Sequence, residues 1–321
     1  MTTQAEKDAL VARLTKIQSV GGSLLSNATA ALKGVEAITV DVAPVPDPIP
    51  DPVPDPTPTP DPTPVPSGDF PSAATTGVPA GVTLTPYTGP ATITKAGTVI
   101  DGALITVPLV IAAGADNVTI RNSKIRAEGY WLVLNDAGAK NLVIEDTELD
   151  GKGNANGDAA VGGRNYTLNR VNIHGTVDGL KLGDNVTVRD TYIHDLVLTA
   201  DSHNDGAQNL DGQNITIEHN TIIVGDGATS AILLSTGSGA QRDILIDNNL
   251  LGGGAFTVYG GYEAGRDDLS RVSNIRITNN HISTAVFPRG GAYGPFTSID
   301  APVVTSGNVW HDGPKAGQAA A

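Results

Sequence analysis

The sequence predicts an all-β fold, a right-handed parallel β-helix (solenoid), preceded by an N-terminal α-helix and a polyproline stalk. Three observations carry that prediction. A β-period unit recurs at intervals of 20–31 residues, Gly and Asn gather between units, and a proline run is segregated from both. Units begin at Asn117, Asn141, Asn165, Asn185, Asn214, Asp243 and Asn274, and a degenerate one ends at residues 307–311. Each reads turn residue, apolar-x-apolar, polar pair, then a later apolar residue. That pattern is a short strand with alternate side chains inward, closed by a turn. One coil cannot bury its inner face alone. Stacking buries Ile120, Ile144, Leu168, Val188, Ile217, Ile246 and Ile277 as one column. A second column is Ile125, Leu149, Ile173, Ile193, Ile222, Leu251 and Ile282. Asn122, Asp146, Asp190, Asn248 and Asn279 share one turn, where their side chains satisfy backbone groups. The solenoid is placed at residues 75–312, followed by a flexible tail at 313–321.

The preceding segments have other roles. In residues 1–38 apolar side chains at Leu10, Leu14, Ile17 and Leu24 keep heptad spacing, which predicts a helix. Two uses stay open for it: an oligomerising coiled coil, with a trimer favoured, or an anchor on a larger partner. Residues 39–74 form the stalk. Twelve prolines occupy every even position from Pro44 to Pro66, which holds the intervening residues extended. At ~3.1 Å per residue the run is a rod of roughly 70 Å.

Composition excludes several classes. A net charge of −14 with only 20 Lys and Arg lacks the basic footprint of a nucleic-acid binder. With no Cys there are no disulfides or thiolate metal sites. No apolar run is long enough to insert in a membrane, and the N-terminus has no signal-peptide pattern, so synthesis in a host cytoplasm is expected.

Candidate chemistry lies where Asp-Gly pairs precede an inward strand. Counting back from the repeat starts puts Asp158, Asp178 and Asp205 at matching points on successive coils, ~5 Å apart. Stacked carboxylates raise one another's pKa and can act as an acid with a base or nucleophile. His203 stands beside Asp205, with Lys181 and Gln208 on the same strands, while His174 and His194 match each other. Tyr259 and Tyr262 lie in a long loop flanked by Arg and Asp, the usual equipment for holding a sugar ring. Asp178, Asp205 and His203 are the candidate catalytic set. Asp158, His174, Lys181, His194, Gln208, Tyr259 and Tyr262 are the candidate glycan-binding set. No ligand set for a metal is complete, and no cofactor is expected.

The repeats resemble the right-handed parallel β-helix superfamily of pectate lyases, polygalacturonases and phage tailspikes. The segment SHNDGAQ around Asp205 is similar to the Asp segments of polygalacturonase-like hydrolases and some β-helix lyases. The resemblance implies a bacteriophage minor tail protein, tailspike or head fibre on the virion surface. Its helix would hold other virion proteins and its head would adhere to host-surface polysaccharide. A polysaccharide lyase or hydrolase is the alternative, and a decorative fibre without a specific ligand is another.

Overall fold

The computed structural model describes residues 70–199 and 203–320. The predicted helix, with Leu10, Leu14, Ile17 and Leu24, and the proline run lie outside them. Among the described residues, three parallel sheets of ten, nine and nine strands stack side by side. The first runs from Thr85–Pro86 to Val309–Trp310, the second from Thr92–Ile93 to Gly294–Ile299, and the third from Val99–Asp101 to Val304–Ser306. Every strand pairs with the strand one coil later, so the chain winds through the three sheets in turn. The fold is a right-handed parallel β-helix, the hand that connections between parallel strands take.

Both predicted columns are present. Ile120 faces Ile144, Leu168 faces Val188, and Ile246 faces Ile277 in the third sheet, all fully buried. The second column forms the inner face of the first sheet, with Leu149 beside Ile125 and Ile173. A third column comes from the second sheet, where Val133, Val161, Leu180, Ala207, Ile232 and Val258 point inward.

Corners need left-handed backbone, and short polar residues supply it. The repeat-start Asn residues adopt positive φ, from Asn274 at 50° to Asn117 at 60°. So do Asn122, Asp146, Asp190, Asn248 and Asn279 in the next corner. One residue further on lies a buried ladder. Asn220, Asn249, Asn280 and Asn308 line up, each receiving at its Oδ1 the backbone N–H of the ladder residue one coil earlier (Thr191 for Asn220, an Asn for the others), at 2.9–3.1 Å.

Two predicted boundaries move. Residues 70–74, assigned to the stalk by the sequence, pack on the head together with residues 75–77. The Phe70 ring packs at 5.0–5.7 Å from His219, His281 and His311, while the Gly77 N–H donates to the Arg170 carbonyl. The segment therefore crosses the outside of the first sheet from its last coils back to its middle ones. We expect Phe70→Ala to speed proteolytic cleavage within residues 70–77 about tenfold, the effect of losing a half-buried ring, with the solenoid still folded. Limited proteolysis with mass spectrometry measures this.

The tail is not a free end. After a 3-10 turn at Gly313–Lys315, Ala319 bridges antiparallel to Val309, and Gln318 O accepts the Trp310 N–H at 2.9 Å. The backbone groups of the last first-sheet strand are occupied by its own chain, and Lys315 lies over the Trp310 ring.

Candidate functional site

The second sheet carries the site because its strands are the polar, glycine-containing ones. Asp178–Lys181 and Asp205–Asn209 each open on an Asp-Gly pair. The glycines there answer a steric demand: a Cβ on Gly206 would meet Ile222 Cγ2 at 2.3 Å and the Ala231 carbonyl at 2.5 Å. With the backbone this close, Asp205 is drawn wholly inside.

Asp178 and Asp205 are brought together, but buried at 1% and 0% exposure. Asp178 Oδ1 accepts the Asp205 backbone N–H at 2.9 Å, and its Oδ2 pairs with Lys181 Nζ. Asp205 accepts from the Ser230 hydroxyl at 2.5 Å and from Gln208 Nε2 at 2.8 Å. Burial pushes the Asp205 carboxyl up to about 7, against the hydrogen bonds from Ser230 and Gln208 and with help from the Asp178 charge. Asp178 is raised as well, by burial, though Lys181 opposes this. Lys181 is held above the ordinary lysine value, its own burial outweighed by Asp178 and Asp158.

Asp158 stands one place out of the predicted register. The residue opposite Asp178 is Ala159, because the corner leading into the third sheet is one residue longer on the later coil. Asp158 still contributes, with its carboxylate 3.3 Å from Lys181 Nζ.

Outward from this buried base runs a column of side chains in register: Lys181, Gln208, Leu233, Tyr259 and Thr297, one per strand. Four strand steps of ~4.8 Å make it roughly 19 Å long. A groove of about 470 Å³ lies over its later part, lined by Gln208, Tyr259, Phe256, His203 and Arg266 among others. A smaller one of about 180 Å³ adjoins it across Gln208 and Leu210 and reaches Lys181 and Arg164. Gln208 is wall to both. Its Oε1 accepts from Lys181 Nζ at 2.8 Å while its Nε2 donates to Asp205, so the carboxamide is fixed in one orientation.

Several predicted residues sit elsewhere. His203 is exposed in the groove lining, and among the described residues no hydrogen bond or ion pair joins it to Asp178 or Asp205. His174 and His194 lie on the first sheet, their rings 5.3 Å apart, with Tyr192 stacked on His194 at 4.0 Å. Tyr262 is buried in the core at 7% exposure, because the strand Phe256–Tyr262 turns it inward while leaving Tyr259 out. Ser230 is a site residue that the spacing of the repeats does not reveal. Ser230 opposes Asp205 in register, a match visible only once ATSAILL is aligned with DGAQNL. Tyr130 is exposed, and the nearby Asp158 charge raises its phenol.

One other cluster brings metal-binding atoms together. The ligand atoms of Glu148, Asp150 and His174 lie within 4.8 Å of one another on the first sheet. Lys124 Nζ at 2.7 Å from Glu148 and Arg126 Nε at 2.9 Å from Asp150 already neutralise these carboxylates. The His174 hydrogen bond, followed by Lys124, holds Glu148 down to about 2 against its burial.

Neither a family model nor a curated protein sequence matches the chain. Among solved structures, the crystal structure of Dettilon tailspike protein matches with a TM-score of 0.29 and 16% identity. The match covers 68% of this chain and 52% of that one, so the chain spans about half the tailspike's length.

Proposed function

We propose that the chain is a virion appendage that adheres to host-surface glycan through the outer face of its second sheet. The observation that carries the binding reading is the outward column from Lys181 to Thr297 under a groove lined by amides, hydroxyls and the rings of Tyr259 and Phe256. A shallow groove of aromatic faces with fixed polar groups suits a polyhydroxylated chain, apolar on ring faces and hydrogen-bonding at edges. Placement on a virion rests on the order of segments in the sequence: heptad helix, proline rod, solenoid. In this reading residues 1–38 bind other virion proteins or assemble copies of the chain, as a trimer, and the rod holds the head away from the particle.

The burial of Asp178 and Asp205 supports the adhesive reading over the enzymatic one. Asp178 and Asp205 are closed off from any bound chain, and their oxygens serve Lys181, Gln208, Ser230 and the backbone. The pair is better read as the base that orients the groove.

Labelled full-length protein is expected to bind at least one bacterial surface in a panel of whole cells. Tyr259→Ala should weaken that binding about thirtyfold, the cost of truncating a central aromatic anchor. Tyr192→Ala, on the first sheet, should leave it unchanged. Retention on no cell surface, or equal binding by Tyr259→Ala, contradicts the proposal.

A further inference from the structure

The groove's charges are already spent within the protein, and this bears on which glycan it takes. Lys181 is met by two carboxylates, Asp158 and Asp178, so that trio carries a net negative charge when ionised. Arg266 is paired with Glu263 at 3.1 Å, and Asp267 beside it accepts the Glu263 N–H at 2.8 Å, again an excess of negative charge. Arg164, at the smaller groove, is flanked by Asp136 at 3.6 Å and Asp184 at 3.4 Å, which leaves His203 as the remaining lining group able to become cationic. What faces the larger groove otherwise is uncharged, Gln208, Thr229, Ser235, Thr236, Thr297 and Ser298 among them, and the smaller groove adds the carboxylates Asp136 and Asp211. An anionic chain entering here would lose water, meet no uncompensated cation, and approach a protein of net charge −14.

Gln208 is the group best placed to read a ligand. Lys181 and Asp205 hold its carboxamide from opposite sides, which leaves one N–H and one carbonyl lone pair in known directions on the wall shared by both grooves. A donor and acceptor fixed side by side match the vicinal hydroxyls of a sugar, and the fixing means that little entropy is lost on binding. Lys181 and the buried Asp205 thus each act on the ligand through Gln208.

Resting on the glycan-adhesion reading, we propose that the groove selects an uncharged polysaccharide, with Gln208 as the specificity-determining residue and Lys181 and Asp205 as positioning residues behind it.

The test is equilibrium binding of the full-length protein to immobilised neutral polymers (dextran, mannan, arabinogalactan) and polyanions (polygalacturonate, hyaluronate, poly(glycerol phosphate)), each at low and physiological ionic strength. A neutral polymer should bind with an affinity that changes less than about twofold with salt. Gln208→Leu should lose at least about tenfold, since the ligand's hydroxyls are left without partners. Gln208→Glu should lose as much: it keeps an acceptor for Lys181 but supplies no N–H to a ligand. Thermal midpoints of both variants check that the fold is intact. If a polyanion binds more tightly than every neutral polymer, with an affinity that falls as salt rises, the selection proposal fails while adhesion stands. Unchanged neutral binding by a folded Gln208→Leu removes Gln208 as the reader. Binding to none of the polymers counts against the glycan reading and this inference together.

Discussion

Asn249→Ala should destabilise the head by about 3–5 kcal/mol, the largest effect expected of any single ladder substitution. Asn249 Nδ2 donates to the carbonyls of Ile217 and Asp247 and to Asn280 Oδ1, while its Oδ1 accepts both the N–H and the side-chain amide of Asn220. All of this happens at 0% exposure. Truncation strands at least two buried backbone groups, each costing about 1–3 kcal/mol, and water cannot reach them without opening the corner. Replacing Asn248, the neighbouring left-handed corner residue, perturbs φ without orphaning buried groups and should cost about 1 kcal/mol. Denaturant unfolding of the two variants, followed by far-UV circular dichroism, gives the comparison. Equal effects would mean the buried ladder adds nothing beyond corner geometry.

The second large effect is a fall in stability as pH rises from about 4 to about 7. Asp205 has a folded pKa of about 7 against an ordinary value of 3.8, so the folded state holds a proton that the unfolded chain releases. Stability is therefore greatest below the unfolded value and is lost as pH climbs to the folded one. A shift of this size corresponds to ~4 kcal/mol, to be read as an order of magnitude because Asp205 titrates together with Asp178. Asp205→Asn keeps an oxygen for Ser230, cannot ionise, and should remove most of the slope. Glu148 works in the opposite sense and in another window: its lowered pKa adds stability as pH rises through the range from about 2 to 4.5. Thermal midpoints across pH for the wild type and Asp205→Asn separate the two groups. A wild-type stability that rises between pH 4 and 7, or an Asp205→Asn variant with the same slope, would contradict the assignment.

Two sheets of the three were legible in the sequence and one was not, for a physical reason. The first and third sheets bury branched aliphatic residues at strict period two, as in Ile144 and Ile217 or Leu149 and Ile222, so both columns could be read without coordinates. Strands of the second sheet read AAVGG, DGLK and DGAQN. Beside Val161, Leu180 and Ala207 their inward positions hold Ala, Gly and bonded polar groups, so the apolar periodicity is too short to read there. The buried ladder was missed by one place. Its earlier coils use Ser123, Thr147 and Thr191, and only the later ones use Asn.

The candidate site was legible in part for the same reason. Lys181, Gln208 and Tyr259 were singled out separately and the fold places them in one outward column. Asp178 and Asp205 were matched correctly across coils, but their burial depends on how near Gly206 lies to the next strand, which no spacing rule reveals. His174 and His194 have the repeat phase of the first sheet, and a match in phase does not say which of three faces a residue occupies.

The proposed groove holds a saccharide chain and leaves it intact. The most direct test incubates full-length protein with a size-defined neutral oligosaccharide, measuring affinity for the wild type and Tyr259→Ala and the length of the oligosaccharide before and after. The expected result is binding by the wild type, a loss of tenfold or more in Tyr259→Ala, and an unchanged chain length. Shortened oligosaccharide, or equal affinity in the two proteins, would contradict it.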